Sequence, residues 1–200
     1  MSCPAELGKT VAMRSDQGSG LLTAKRIALV GCIGAGKSTL ARTLGERLGL
    51  EVFHLDALWW LGGRYRIVGR KTVASHAMDP RDFLELQQEL AAGDRWIIDG
   101  GHADLSVRLV RADTVIFLDL PRVTCMWRVA KRTGSPRPDY PPDVQESWRW
   151  MVVLLRWIWS YPKRKRPGMI AAVEEYAGQA SVIWCRSASD VQHLVASVST

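Results

Sequence analysis

Gly31, Gly34, Gly36, Lys37 and Ser38 satisfy the spacing G-x-x-x-x-G-K-[ST] inside IALVGCIGAGKSTLARTLG, residues 27–45. The pattern sits between a short apolar, β-rich run and a helix-like stretch, the context in which it cradles a polyphosphate. Bare glycine backbone lets successive N–H groups, that of Ala35 among them, close around a β-phosphate. The following helix adds the positive end of its dipole. Lys37 can span the β- and γ-phosphates, Ser38 can offer a hydroxyl to Mg²⁺, and Thr39 adds a phosphate contact. The expected ligands are therefore ATP and Mg²⁺. Cys32, inside the loop, has no base partner in the sequence around it and reads as a small filler.

Ligands of open parallel sheets bind at the carboxyl ends of the strands, and Asp56, Asp99 and Asp119 each follow an apolar run. Asp99, in WIIDGG, is the candidate to hold Mg²⁺ or orient a water, with a turn or cap as its structural alternative. Asp56, in HLDALWW, suits an acceptor hydroxyl or the role of base, or else a helix cap. Asp119 reads as an N-cap ahead of Pro121. Arg128 and Arg132 are four apart, on one face of a helix that precedes a loop with Pro136, Pro138, Pro141 and Pro142. Arg137, Arg149 and Arg156 follow. Such a loop suits a lid that brings Arg132, Arg137 and Arg156 onto a transferring phosphoryl group and expels water. Among the histidines, His102 after DGG stands nearest this edge; His54, His76 and His193 read as scattered. Trp59, Trp60 and Tyr65 follow Asp56 and either pack or stack an acceptor ring.

These residues need a scaffold. The chain has 200 residues, 47% hydrophobic and 24% charged, ordinary usage for one well-cored domain. Cys3, Cys32, Cys125 and Cys185 form no Cys-x-x-Cys pair, which argues against a metal knuckle or disulfide framework and for a reducing cytoplasm. The longest apolar block, 150–155, is far short of a membrane span, so no membrane contact is expected. Residues 1–24 lack periodicity and read as a flexible tail. Apolar runs at 26–31, 51–56, 95–100, 114–119 and 181–186 predict five strands. Helical patterns alternate with them at 37–48, 80–92 (opened by Asp79), 122–132, 144–160 and 169–177. A last helix runs through Ser197, capped by Ser187 or Ser189. Strands apolar on both faces and alternating with helices predict a three-layer α/β/α sandwich around a parallel sheet. The stretch 61–78 reads as an irregular loop. Four of the nine tryptophans, Trp148, Trp150, Trp157 and Trp159, share one helical segment and are expected to pack in the core.

The net charge of +7 is uneven: 121–168 carries eleven Lys or Arg against three acids, a local +8, which leaves −1 for the rest. That region, with KRKR at 163–166, would attract nucleic acid, an acidic membrane surface or a polyphosphate.

In order and spacing, RIALVGCIGAGKSTLARTLGERLGL, VFHLDALWW, GDRWIIDGG, RADTVIFLDLPR and LLRWIWSYPKRKRP resemble the adenylate-kinase-like P-loop kinases. Within that group they resemble the bacterial proteins labelled DNA topology modulation protein, or FlaR-like. The likeness runs over nearly the whole chain after Lys25. It implies one P-loop nucleoside-triphosphate-binding domain over 25–200, a sheet of order 2-3-1-4-5, ATP on the glycine loop, and a short lid at about 128–149. Lids of this group open with Arg-x-x-x-Arg. By that similarity Arg128 covers the adenine and Arg132 approaches the phosphates, while the loop from Arg186 to Ala188 flanks the adenine's other side. Adenylate kinases place Pro-Arg soon after their Asp-Gly to hold AMP; DGGHADLSVR here argues against AMP as acceptor.

Two functions compete at this stage. One is a Mg²⁺-dependent phosphotransferase that moves the γ-phosphoryl of ATP to a small acceptor, nucleotide or otherwise. The other is a regulatory ATPase that contacts DNA through the basic C-terminal half. No helix-turn-helix, zinc finger or other reading module is visible to support nucleic acid as a partner. Acceptor and oligomeric state are not written in the sequence.

Overall fold

The computed structural model describes residues 19–61, 67–68, 71–72, 78–101, 104–135 and 148–198. In chain order the elements are α1 (Ser19–Leu22), β1 (Arg26–Gly31), α2 (Lys37–Leu48), β2 (Val52–His54), α3 (Leu55–Leu61), β3 (Ile67–Val68), β4 (Lys71–Thr72) and α4 (Pro80–Ala92). There follow β5 (Trp96–Asp99), α5 (Leu105–Leu109), β6 (Thr114–Leu118), α6 (Arg122–Arg132), α7 (Trp148–Arg164), α8 (Arg166–Tyr176), β7 (Ser181–Cys185) and α9 (Ala188–Ala196).

The main sheet has five strands in the order β2-β5-β1-β6-β7, all parallel. Counted along the sheet's own strands this is 2-3-1-4-5, as the motif resemblance implied. Each strand's alternation feeds two cores. Ile27 and Leu29 of β1 face one side with Ile97, Ile116 and Leu118; Ala28 and Val30 face the other with Ile98, Val115 and Phe117. The first core takes buried residues from α2, α6, α7 and α9, the second from α3, α4, α5 and α8. Helices on both faces make the three layers, and each fully buried Ile, Leu or Phe contributes about 1.5–3 kcal/mol.

Local chemistry sets the boundaries. Asp79 caps α4, its Oδ1 accepting from Arg81 N at 2.8 Å, with Pro80 in the first turn. Ser187 and Asp190 form a reciprocal capping box that opens α9. Gly49, at φ 61°, ends α2 in the left-handed conformation.

Several expectations are corrected. The second strand stops at His54, and Leu55 to Leu61 is helical, so Asp56 lies in a first helical turn. The stretch read as loop contains an antiparallel hairpin, β3 with β4. α5 was not foreseen, because five residues are too few to show a helical period. The helix expected at 144–160 spans Trp148–Arg164, and Pro162 is tolerated near its end. Ser19–Leu22 is a helical turn whose Leu21 is 1% exposed in the core; of the expected tail, 1–18 lies outside the described residues. Trp148, Trp150, Trp157 and Trp159 are exposed rather than packed, because α7 buries Leu154, Ile158 and Tyr161 on the opposite face.

Candidate active site

The glycine loop leaves β1 at Gly31 and enters α2 at Lys37. Gly31, Gly34 and Gly36 all have positive φ, at 145°, 78° and 95°. At two of them a side chain has no room: a Cβ on Gly31 would stand 2.4 Å from Leu118 O, and one on Gly34 2.5 Å from Cys125 O. The loop is thus pressed between β6 and α6. Gly36 is the N-cap of α2 and supplies no side-chain acceptor, so the first-turn N–H groups of Lys37, Ser38 and Thr39 point into the loop without a side-chain cap. Lys37, 8% exposed, donates from Nζ to Gly31 O and Cys32 O, both at 3.0 Å. Its ammonium is held over the loop. Ser38 is half-buried and Thr39 exposed, while Ala35 is 2% exposed.

The strand ends beside the loop bring the predicted carboxylates together. Asp99 closes β5, is 2% exposed, and pairs in register with Leu29 of β1 on one side and His54 of β2 on the other. His54 Nδ1 donates to Asp99 Oδ1 at 2.6 Å. Asp56 Oδ1 accepts from Gly101 N at 2.7 Å. Gly100, at φ 144°, lets the chain pass close beneath, since a Cβ there would meet Leu55 Cβ at 2.7 Å. Asp56, Asp99 and the two glycines therefore form one cluster.

Under that cluster lies Arg108 of α5, 2% exposed, whose Nη2 donates to Gly100 O at 2.7 Å. Its Nε and Nη1 are buried without a hydrogen-bond partner among the described residues. Burial pulls its pKa down to about 10, opposed by the charges of Asp56, Asp99 and Asp104. The guanidinium thus stays charged at neutral pH as the cation of the two strand-end acids.

Sequence reasoning missed both His54 and Arg108. His54 had a signal: it ends an apolar strand, in VFH, as Asp99 ends another. Arg108 had a weaker one, a lone cation between apolar neighbours in SVRLV. His102 and Tyr65, and the side chain of Trp60, lie outside what the structure describes. Trp59 packs edge-on against Phe83, with ring centroids 4.8 Å apart.

On the other side of the loop, Arg128 Nη1 donates to Ala35 O at 2.9 Å and lies 3.3 Å from the place of a Cβ on Gly36. Arg132, one turn on, is half-buried. Arg137 and most of the expected lid lie outside the described residues. Arg156 is exposed on α7, in a groove with Met126 and Trp159; no described contact brings it to the loop. At the end of β7, Arg186 N donates to Asp190 Oδ2 at 2.7 Å, and its guanidinium stands 5.9 Å from the Trp184 ring centroid. Asp119 does not cap α6, whose N-cap is Pro121. It accepts a forked pair of bonds from Arg166 Nε and Nη2 at 2.8 and 2.7 Å, which assigns the last residue of KRKR to structure. Cys32 meets Cys125 of α6: a thiol hydrogen bond between them pushes Cys32 up and Cys125 down.

A family profile described as an AAA domain matches residues 27–148, from β1 through the glycine loop and α6 to the start of α7. The chain belongs to that family. No curated protein matches it closely enough to count as a relative. Solved structures do align with it. Shikimate kinase from Acinetobacter baumannii, in complex with shikimate, is 21% identical over 88% of this chain and 92% of its own, with a TM-score of 0.50. Shikimate kinase from Bacteroides thetaiotaomicron is 21% identical over 86% and 95%, TM-score 0.47. A gluconokinase from Sinorhizobium meliloti 1021 is 17% identical over 87% and 89%, TM-score 0.46. The likeness is one of fold, that of the P-loop kinases.

In this AAA domain the donors suit Mg²⁺ in kind. A divalent cation of that size takes one or two carboxylates together with substrate phosphates, not an all-protein cage. Ser38 stands in the first turn of α2 and Asp99 ends the adjacent strand, which supplies one hydroxyl and one carboxylate. Among the described residues no group of three or more His, Cys, Asp or Glu gathers as a metal cage.

Proposed function

We propose that the protein is a Mg²⁺-dependent phosphotransferase that moves the γ-phosphoryl of ATP to a hydroxyl of a small acceptor. One observation carries the reading: a buried cation, Lys37, is held over a glycine loop on the same sheet edge as Asp99 and Asp56. The loop amides and the first turn of α2 bind the β-phosphate, with Thr39 at its side. Lys37 follows the charge that develops on the γ-phosphoryl, and Arg128 fixes the loop from outside through Ala35. Asp56, held by Gly101 N, orients the acceptor hydroxyl and accepts its proton as the new P–O bond forms and the β–γ bridge breaks. Ser38 and Asp99 would hold Mg²⁺, which neutralises phosphate charge when bound. Arg132, Arg137 and Arg156 are lid arginines in this proposal, and Arg186 borders the adenine.

The finer likeness to DNA topology modulation proteins rests on the ordered motifs. Of the KRKR run, Arg166 is already committed to Asp119, which leaves less of it for DNA. The test is ATP consumption with Mg²⁺ against a panel of nucleosides, nucleotides, polyols and hydroxy acids. Shikimate, bound in the Acinetobacter neighbour, is one panel member. At least one acceptor should raise turnover well above the water background. Lys37→Ala should cut that turnover by at least about 10³-fold while the fold survives. Unchanged turnover in the variant would remove the glycine loop from the chemistry. ATP use that responds to DNA and to no small acceptor would favour the ATPase.

A further inference from the structure

α6 and α7 together leave a face that no described part of the chain covers. On α7, Trp148, Val152, Leu155 and Trp159 recur at spacings of four, three and four, one stripe of a helix. Trp148, Val152 and Trp159 are 66%, 43% and 57% exposed. On α6, Val123 and Trp127 are one turn apart and 68% and 61% exposed. Met126, Val152, Leu155, Arg156 and Trp159 line a groove of about 360 Å³ where the two helices meet. Exposed apolar side chains gathered in this number on one helix pair mark a docking surface.

Its charge identifies the occupant. Neither helix contains an Asp or Glu, and apart from the arginines assigned to the loop and lid, α6 holds Arg122 and Lys131 and α7 holds Arg149, Lys163 and Arg164. Cations sit on the exposed rings: Arg122 lies 3.9 Å from the Trp159 ring centroid, Lys131 5.0 Å from Trp127 and Arg149 5.6 Å from Trp148. Two copies of so cationic a face repel one another. A nucleic acid would use the rings and the cations but leave Val123, Val152 and Leu155 without partners, because bases stack on aromatic planes. An anionic bilayer uses all three kinds of side chain: acyl chains receive the aliphatics, the headgroup level receives tryptophan, and acidic lipids pair with Lys and Arg. We propose that the α6–α7 face docks this protein on an anionic lipid surface. No helix among the described residues is long and apolar enough to cross a membrane, and peripheral docking requires none.

The test uses the full chain and vesicles of phosphatidylcholine, with or without about a third phosphatidylglycerol, at about 0.1 M salt. The protein should co-sediment with the anionic vesicles and hardly with the neutral ones. Acyl-brominated lipid should quench its tryptophan emission. Arg122→Gln and Lys131→Gln should each lower the partition coefficient about fivefold. Trp148→Ser and Trp159→Ser should each lower it about tenfold or more, with the urea midpoint unchanged because both rings are exposed. Four outcomes would overturn the proposal. They are no sedimentation with either vesicle, equal sedimentation with both, Trp variants that partition like the wild type, and a preference for single-stranded DNA over anionic vesicles that the same variants abolish.

Discussion

Replacing Arg108 with methionine isolates what a buried, half-partnered guanidinium costs and what it supplies. Its pKa, pulled down to about 10 by burial, means that the charged form is disfavoured in the folded state by about 3 kcal/mol relative to the unfolded chain. Methionine of similar volume removes that cost. It also removes the bond from Nη2 to Gly100 O at 2.7 Å, a charge-assisted hydrogen bond that contributes about 1.5–3 kcal/mol and whose acceptor is then left unpaired. The two terms nearly cancel, so urea unfolding should show a change of less than about 1.5 kcal/mol in either direction, with the denaturant slope unchanged. The pH dependence has a definite sign. Because the folded pKa is depressed, the unfolded chain holds more protons above pH 10, and wild-type stability should gain on the variant as pH rises through that value; below it the penalty is fully present. Function should respond where stability does not. Asp56 and Asp99 lose the cation that Arg108 places beneath them, so turnover should fall, and Arg108→Lys should restore part of it. A loss of more than about 4 kcal/mol in Arg108→Met would refute the reasoning, since the guanidinium would then be a net stabiliser with partners enough.

Arg128→Ala should weaken ATP binding, while Arg132→Ala should mainly lower turnover, read by separating the binding constant from kcat; equal effects on binding alone would undo the lid assignment. His54→Ala strips the donor at 2.6 Å from a nearly buried carboxylate, which should cost about 1–3 kcal/mol in urea unfolding and depress turnover, with partial rescue by His54→Gln. Gly31→Ala puts a Cβ 2.4 Å from Leu118 O at φ 145° and should cost at least about 3 kcal/mol in stability.

How much of this was legible in the sequence depended on whether one segment held the whole signal. The glycine loop did, because its spacing and flanking strand and helix are contiguous, and Asp79 and Ser187 were readable as caps for the same reason. The parallel sheet was legible from strands apolar on both faces. The Asp99–His54 pair was not, because it depends on β2 and β5 ending in register across 45 residues of chain. Arg108 was hidden for a related reason: an arginine is read as surface until packing encloses it. The tryptophans of α7 failed in the opposite sense. Their ring area suggested core, but Leu154, Ile158 and Tyr161 already fill the buried face of that helix, and hydropathy alone cannot say which of two apolar stripes faces inward.

The partners of the three strand-end acids sort their roles more sharply than their positions do. Asp119, Asp99 and Asp56 all follow strands at the carboxyl edge of the sheet, where the sequence marked Asp99 for Mg²⁺ or a water, Asp56 for the acceptor and Asp119 for a helix cap. Asp119 has both oxygens committed to the Arg166 fork at 2.8 and 2.7 Å, so a metal there would have to break two charge-assisted bonds before gaining one ligand. Asp99 receives His54 on Oδ1 at 2.6 Å, which fixes the carboxylate's orientation, while Arg108 supplies positive charge from below. Asp56 is fixed by a backbone amide of the same DGG turn, on the side of Asp99 away from the glycine loop. In the proposed transfer the loop amides and Lys37 of the β1 edge take the phosphates, Asp99 stands at the end of the next strand and Asp56 follows the strand beyond it, at the acceptor.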